Sequence, residues 1–274
     1  MPTFTGKTFA SFYKNLLGIN QSSNTGIDAT IRNIHDGAGN ETAIALSDDN
    51  LVIKPKSDDT VNTLWVQNSA GNTILAVDTT NSKVNIGTSQ VAANTQYTHF
   101  GTSFAEASTT GFAADPHYAI PFMMGNLGSV AANYAMGSST SSSFNDTNPA
   151  TSLTVSTTAM EIVRCYWYVM DDITIDAVKW WHGADAATGD DVAAHLMSYS
   201  VDSANGSTSG DLSSGTVVAD GSTITNAGYE QVYYQAMTIQ SADVDAGKVI
   251  LFTFASDTVN SHFSINATVK YHIR

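Results

Sequence analysis

Residues 263–273 read FSINATVKYHI, and this stretch decides the fold class. Phe263, Ile265, Ala267, Val269, Tyr271 and Ile273 alternate with Ser264, Asn266, Thr268, Lys270 and His272. Successive side chains of a strand point to opposite faces, so a strict period of two buries the first set and exposes the second. A helix needs apolar residues every three or four positions, and this stretch lacks that spacing. The chain is expected to be mainly β.

Working back from this stretch, 249–254, 232–239, 192–201, 173–182 and 161–170 carry the same kind of signal. In 161–170 (EIVRCYWYVM) one face is Val163, Cys165, Trp167 and Val169, and the other carries Arg164, Tyr166 and Tyr168. In 173–182 the inward set reads Ile173, Ile175, Ala177 and Trp181, which directs Trp180 outward. Roughly eight strands spaced by Gly, Ser and Asn turns predict an antiparallel β-sandwich of jelly-roll type over 151–274. Residues 91–150 hold small residues with Pro116, Pro121 and Pro149, and read as a loop-rich connecting region.

Residues 41–90 read as a β-meander stem of short runs, 43–46, 51–53, 64–66, 74–77 and 84–86, with turn residues between them. Within 72–87 (NTILAVDTTNSKVNIG) two apolar runs flank a turn at 78–83. Strands this short bury little core of their own. Leu64, Val66, Leu75, Val77, Val84 and Ile86 are therefore expected to pack between copies of the chain, as the interior of a stem.

Residues 1–40 are expected to form a helix followed by an extended arm. Over 5–18, Phe9, Phe12, Tyr13, Leu16 and Leu17 recur at helical spacing. Thr5 or Thr8 caps the start, and Gly18 is placed to end the helix in a left-handed conformation. This apolar face either docks on its own domain or anchors the chain in another protein.

Charged residues make up only 13% of the chain, about half the usual share, and small polar residues take their place. The net charge of −14 repels phosphate backbones and anionic membrane surfaces, so neither nucleic acid nor membrane is an expected partner. Residues 1–20 lack a signal-peptide pattern and no apolar run approaches membrane-spanning length, which predicts synthesis in a cytosol without secretion. Cys165 is the lone cysteine and reads as a buried free thiol.

No catalytic constellation emerges, and no enzyme activity, cofactor or metal is predicted. Residues 206–210 (GSTSG) place Thr208 where a nucleophile elbow requires serine. Asp243 with Asp245, or Asp190 with Asp191, offers loop carboxylates to calcium, but the twelve-residue calcium loop is absent. Trp180 and His182 adjoin the polar loop 183–191. There an outward Trp180 is either a platform for stacking a sugar ring or a surface covered by a neighbouring subunit.

The stretch 66–87 (VQNSAGNTILAVDTTNSKVNIG), with 11–28 (SFYKNLLGINQSSNTGID), resembles virion structural proteins of tailed bacteriophages over about the first 95 residues. The resemblance implies a homotrimer on the virion surface, anchored by its N-terminal region and presenting a C-terminal head. Phe9, Phe12, Tyr13, Leu16 and Leu17 then become virion-anchoring residues, with the major capsid protein or a tail or portal component as partner. The expected function is a short fibre or capsid decoration protein. The alternatives are a fibre tip that binds a host receptor or glycan, and a tailspike-like glycan hydrolase with paired carboxylates about 5–9.5 Å apart.

Overall fold

The computed structural model describes residues 13, 16–21, 26–89, 91–103, 116–123, 136, 149–155, 162–184, 189–228, 230–258 and 263–274. The chain divides into two compact units, Met1–Ala93 and Asn94–Arg274. It is mainly β, and every strand pairing among the described residues is antiparallel. Phe9 and Phe12 lie outside the described residues, as does most of the predicted helix. Gly18 is not a left-handed helix cap. It lies in a short strand, pairing with His35.

The first unit contains β1 (Gly18–Ile19), β2 (Arg32–His35), β3 (Glu41–Leu46) and β4 (Leu51–Ile53), followed by β5 (Leu64–Gln67), β6 (Thr73–Asp78), β7 (Lys83–Ile86) and β8 (Val91–Ala92). They form two separate four-stranded sheets, β1-β2-β3-β4 and β5-β6-β7-β8. Part of the stretch read as an extended arm is thus strand β2, hydrogen-bonded to β3.

The two sheets hold a tandem duplication. Adding 32 to the residue numbers of β2 and β3 gives β5 and β6, and adding 32 to Leu51 gives Lys83, the start of β7. The β2–β3 and β5–β6 turns are the same. Asp36 Oδ1 accepts the N–H of Ala38 and of Asn40, each at 2.8 Å. Asn68 Oδ1 accepts the N–H of Ala70 at 3.0 Å and of Asn72 at 2.9 Å. Gly39 (φ 85°) and Gly71 (φ 82°) close the turns from the left-handed region, where a Cβ is strained. The shared Ala-Gly-Asn at 38–40 and 70–72 is the sequence trace of the repeat.

The second unit contains β9 (Thr95–Ser103), β10 (Tyr118–Ile120), β11 (Trp167–Tyr168), β12 (Ile173–Ala184), β13 (Asp191–Val201), β14 (Leu212–Asp220) and β15 (Ile224–Thr225). After these come β16 (Gln231–Ala236), β17 (Thr238–Ile239), β18 (Asp243–Val244), β19 (Lys248–Ser256) and β20 (Phe263–Ile273). One sheet is ordered β16-β12-β20-β9, with β18 also on β12. The other is ordered β10-β19-β13-β14-β17, with β11 and β15 attached. Their facing sides share one core, in which Trp180 meets Phe252 and Phe254 at centroid distances of 6.2 and 6.0 Å. A second cluster, including Met136, Ile162, Cys165, Tyr199 and Leu251, covers the other face of the β13–β19 sheet. β19 is therefore buried almost throughout and reads as a continuous apolar run.

β20 alternates as its sequence predicts. β9 differs from its reading as connector, since it pairs with β20 from Thr95 to Ser103. Its buried positions Thr98, Phe100 and Thr102 are mostly polar in type, which hid the strand. Val163 also departs from the predicted inward set. It is exposed in a 3₁₀ turn, Val163–Cys165, and the pairing with β19 starts only at Trp167. Cys165 is buried as predicted, and burial pushes its thiol up to about 12.

The largest correction falls in β12. Its pairing with β20 slips between Ile175 and Ala177. A bulge of this kind reverses the alternation beyond it. Ile173 and Ile175 point into the core, and past the slip so do Val178, Trp180, His182 and Ala184. Trp180 is fully buried and donates its Nε1–H to Gln235 Oε1 at 3.1 Å, whereas Trp181 is 47% exposed. Trp180→Ala should therefore cost about 3–5 kcal/mol in denaturant unfolding, and Trp181→Ala only about 1 kcal/mol. The reverse order would refute this register.

Candidate functional site

The six predicted stem residues form one face of the β5-β6-β7 sheet. Leu64 pairs with Val77 and Val77 with Val84; Val66 pairs with Leu75 and Leu75 with Ile86. Because registered neighbours project to the same side, these are two adjacent apolar rows across three strands. None of the six is buried, and Ile86 is 52% exposed. The opposite face carries Trp65, Ala76 and Asn85 in one row. Ala76 and Asn85 are buried there, so the apolar side of the sheet is the open one.

This inversion holds for the unit as a whole. Among the apolar side chains described in the first unit, only Ala45 and Ala76 are buried. Among the described residues, both clusters of buried apolar side chains belong entirely to the second unit. Ile31, Ile44, Leu51, Val61, Trp65, Ile74 and Val91 are exposed as well. Tyr13, Leu16 and Leu17, the described members of the predicted anchor, are also exposed; Leu16 N–H donates to Tyr13 O at 3.2 Å within a single turn. Among the described residues the first unit thus exposes more apolar side chains than it buries.

The structure does not bring Trp180 and His182 to the surface as a glycan platform. His182 is fully buried between Trp180 and Tyr233, with near-parallel rings at centroid distances of 5.1 and 4.8 Å. Its Nε2 lies 2.8 Å from Asn226 Oδ1. The exposed aromatic pair in their place is Trp181 with Tyr234, 4.5 Å apart across β12 and β16, which the unmarked bulge concealed from the sequence.

The loop carboxylates have protein partners. Arg274 reaches Asp245 at 2.8 Å and Asp243 at 3.4 Å, and Asp191 accepts the Thr225 hydroxyl. Thr208 donates to Asp202 at 2.6 Å, tying the 206–210 turn to the end of β13. Among the described residues no three His, Cys, Asp or Glu side chains converge as a metal centre requires. No described helix is long and apolar enough to cross a membrane.

No family model matches the chain, and no curated protein sequence matches it significantly.

Burial holds His182 below the ordinary histidine value of 6.5, and its hydrogen bond to Asn226 Oδ1 offsets this only in part. The folded state therefore disfavours the proton that the unfolded chain accepts. This contribution to stability is complete above pH about 6.5 and falls as pH drops below it. Relative to His182→Gln, the wild type should lose up to about 1.4 kcal/mol per pH unit between pH 6.5 and 5. Parallel stability profiles for the two proteins in denaturant titrations would contradict this.

Proposed function

We propose that this chain is a non-enzymatic structural protein that assembles as a homotrimer through its first unit. In this reading it is a short fibre or capsid decoration protein on the surface of a tailed-phage virion. Residues 94–274 are the presented head, of jelly-roll type. The N-terminal residues, with Phe9, Phe12, Tyr13, Leu16 and Leu17, dock on a capsid, tail or portal protein.

The observation that carries the reading is the open apolar face of β5-β6-β7. Its two rows, Leu64-Val77-Val84 and Val66-Leu75-Ile86, are the part of the sheet that water should not see. At roughly 25 cal/mol per Å² of apolar surface, covering such a face from three copies is a strong drive to associate. A small unit whose described residues bury only two alanines among their apolar side chains gains stability from partners. The tandem 32-residue repeat supports the same reading, because repeated units that cannot bury their own apolar faces bury them against neighbours. The alternation of long strands between sheets, β12 to β13 and β19 to β20, supports a wrapped sandwich in the head. The phage assignment rests on the resemblance of 66–87 and 11–28 to virion proteins.

Light scattering on the purified chain should give three times the mass of one chain. The double variant Val66→Asp/Ile86→Asp, which places two charges in one row, should shift the protein toward monomer while the head keeps its near-ultraviolet signal. A wild-type monomer, or a variant that remains trimeric, would reject the interface.

A further inference from the structure

A cavity of about 230 Å³ opens in the second unit beside β11, the start of β12, the end of β20 and the start of β9. Its walls include Trp167, Tyr168, Met170 and Tyr271, and the polar lining is Gln96 and Asp171. Trp167 and Tyr271 form one corner, with centroids 4.9 Å apart and planes at 58°. Tyr271 donates its hydroxyl hydrogen to Gln96 Oε1 at 2.7 Å, which fixes that ring against the β9 edge. Tyr168 is half exposed and Met170 largely so, which leaves this side accessible.

The composition of these walls selects a ligand. No lysine or arginine lines the cavity, so it offers nothing to pair with a phosphate, sulfate or carboxylate. Two rings that are not buried, Tyr168 and Tyr271, a polarisable thioether and one carboxylate instead suit a cation of low hydration. Ring faces attract such a cation through their quadrupoles, and the carboxylate supplies the counter-charge. A compact ammonium such as that of lysine stays strongly hydrated, and an alkylated one does not. The volume is below the roughly 300–1,000 Å³ of pockets for drug-sized ligands, so only a headgroup-sized ion enters. A net charge of −14 on the chain attracts cations to its surface.

We propose that this cavity is a binding site for a quaternary ammonium group of the choline type, whether as a free solute or as the exposed headgroup of a phosphocholine-bearing surface. The proposal does not depend on the oligomeric state or on the virion reading. Tyr168 and Tyr271 hold the methyl groups over a floor formed by the buried Trp167, which is stacked on Phe122, and Asp171 faces the charge from the rim.

The test is a titration of the full-length protein, followed by tryptophan fluorescence and by calorimetry. The probes are choline chloride, phosphocholine, D-glucose and 3,3-dimethylbutan-1-ol, the uncharged isostere of choline. Choline should bind about tenfold more tightly than the isostere. Tyr168→Ala should weaken choline about tenfold, and Asp171→Asn should weaken choline without affecting the isostere. Both residues are surface-accessible, and an unchanged unfolding midpoint will show that each variant is folded. Phosphocholine binding as tight as choline assigns the headgroup source, and binding of choline alone assigns the free solute. Equal binding of choline and its isostere, binding of glucose in place of choline, or unchanged affinity in a folded Tyr168→Ala protein would each overturn the proposal.

Discussion

The second unit depends on a slip in strand pairing in β12. Between Ile175 and Ala177 the pairing with β20 loses register, and every side chain beyond that point changes faces. The slip sends Trp180 to the centre of the shared core, where its indole packs on Phe252 and Phe254 and its N–H reaches Gln235. Gln235 in turn donates to Ser222, so the β16 edge and the loop after β14 are joined to β12 through one buried indole. The same slip buries His182 between two rings and leaves Trp181 beside Tyr234 at the surface. Without it, Trp181 and Trp180 would exchange roles, and neither the contact with Gln235 nor the stack on His182 would form as it does.

The two units obey the hydrophobic effect in opposite ways. In the second, alternation works as in an ordinary sandwich, and the β13–β19 sheet is covered on both faces. In the first, strands of two to six residues build sheets whose apolar rows face outward. Local hydrogen bonding, above all the repeated Asx turns at 36–40 and 68–72, sets these hairpins without help from a core. The described hairpins of this unit thus have their turns hydrogen-bonded while their apolar rows stay exposed, which is the mismatch on which the proposed assembly rests.

Much of the architecture was legible in the chain. The period of two over 263–273 identified β20, and the turn clusters at 47–50 and 69–72 separated the strands of the first unit. The six stem residues were legible as a set, because alternation plus tight turns places 64, 66, 75, 77, 84 and 86 on one side. Other features had a signal that was too faint. The β9 strand buries Thr98 and Thr102, whose side chains look like a surface in sequence. The duplication keeps only Ala-Gly-Asn at its turns, since repeated hairpins conserve turn chemistry more strictly than the residues of a half-open face.

The sequence by itself determined the class of structure, because alternation and turn chemistry are local and need no partner. It also determined that the first unit is short of core, which follows from strand length alone. Tertiary structure decided which tryptophan is buried, because a bulge leaves no mark in residue type and only the pairing with β20 reveals it. It decided the fate of His182 and of the loop aspartates, whose partners Asn226 and Arg274 lie far along the chain. The cavity at Trp167, Tyr168 and Tyr271 was likewise beyond the sequence, since it exists only where 167–173 meets the start of β9 and the end of β20.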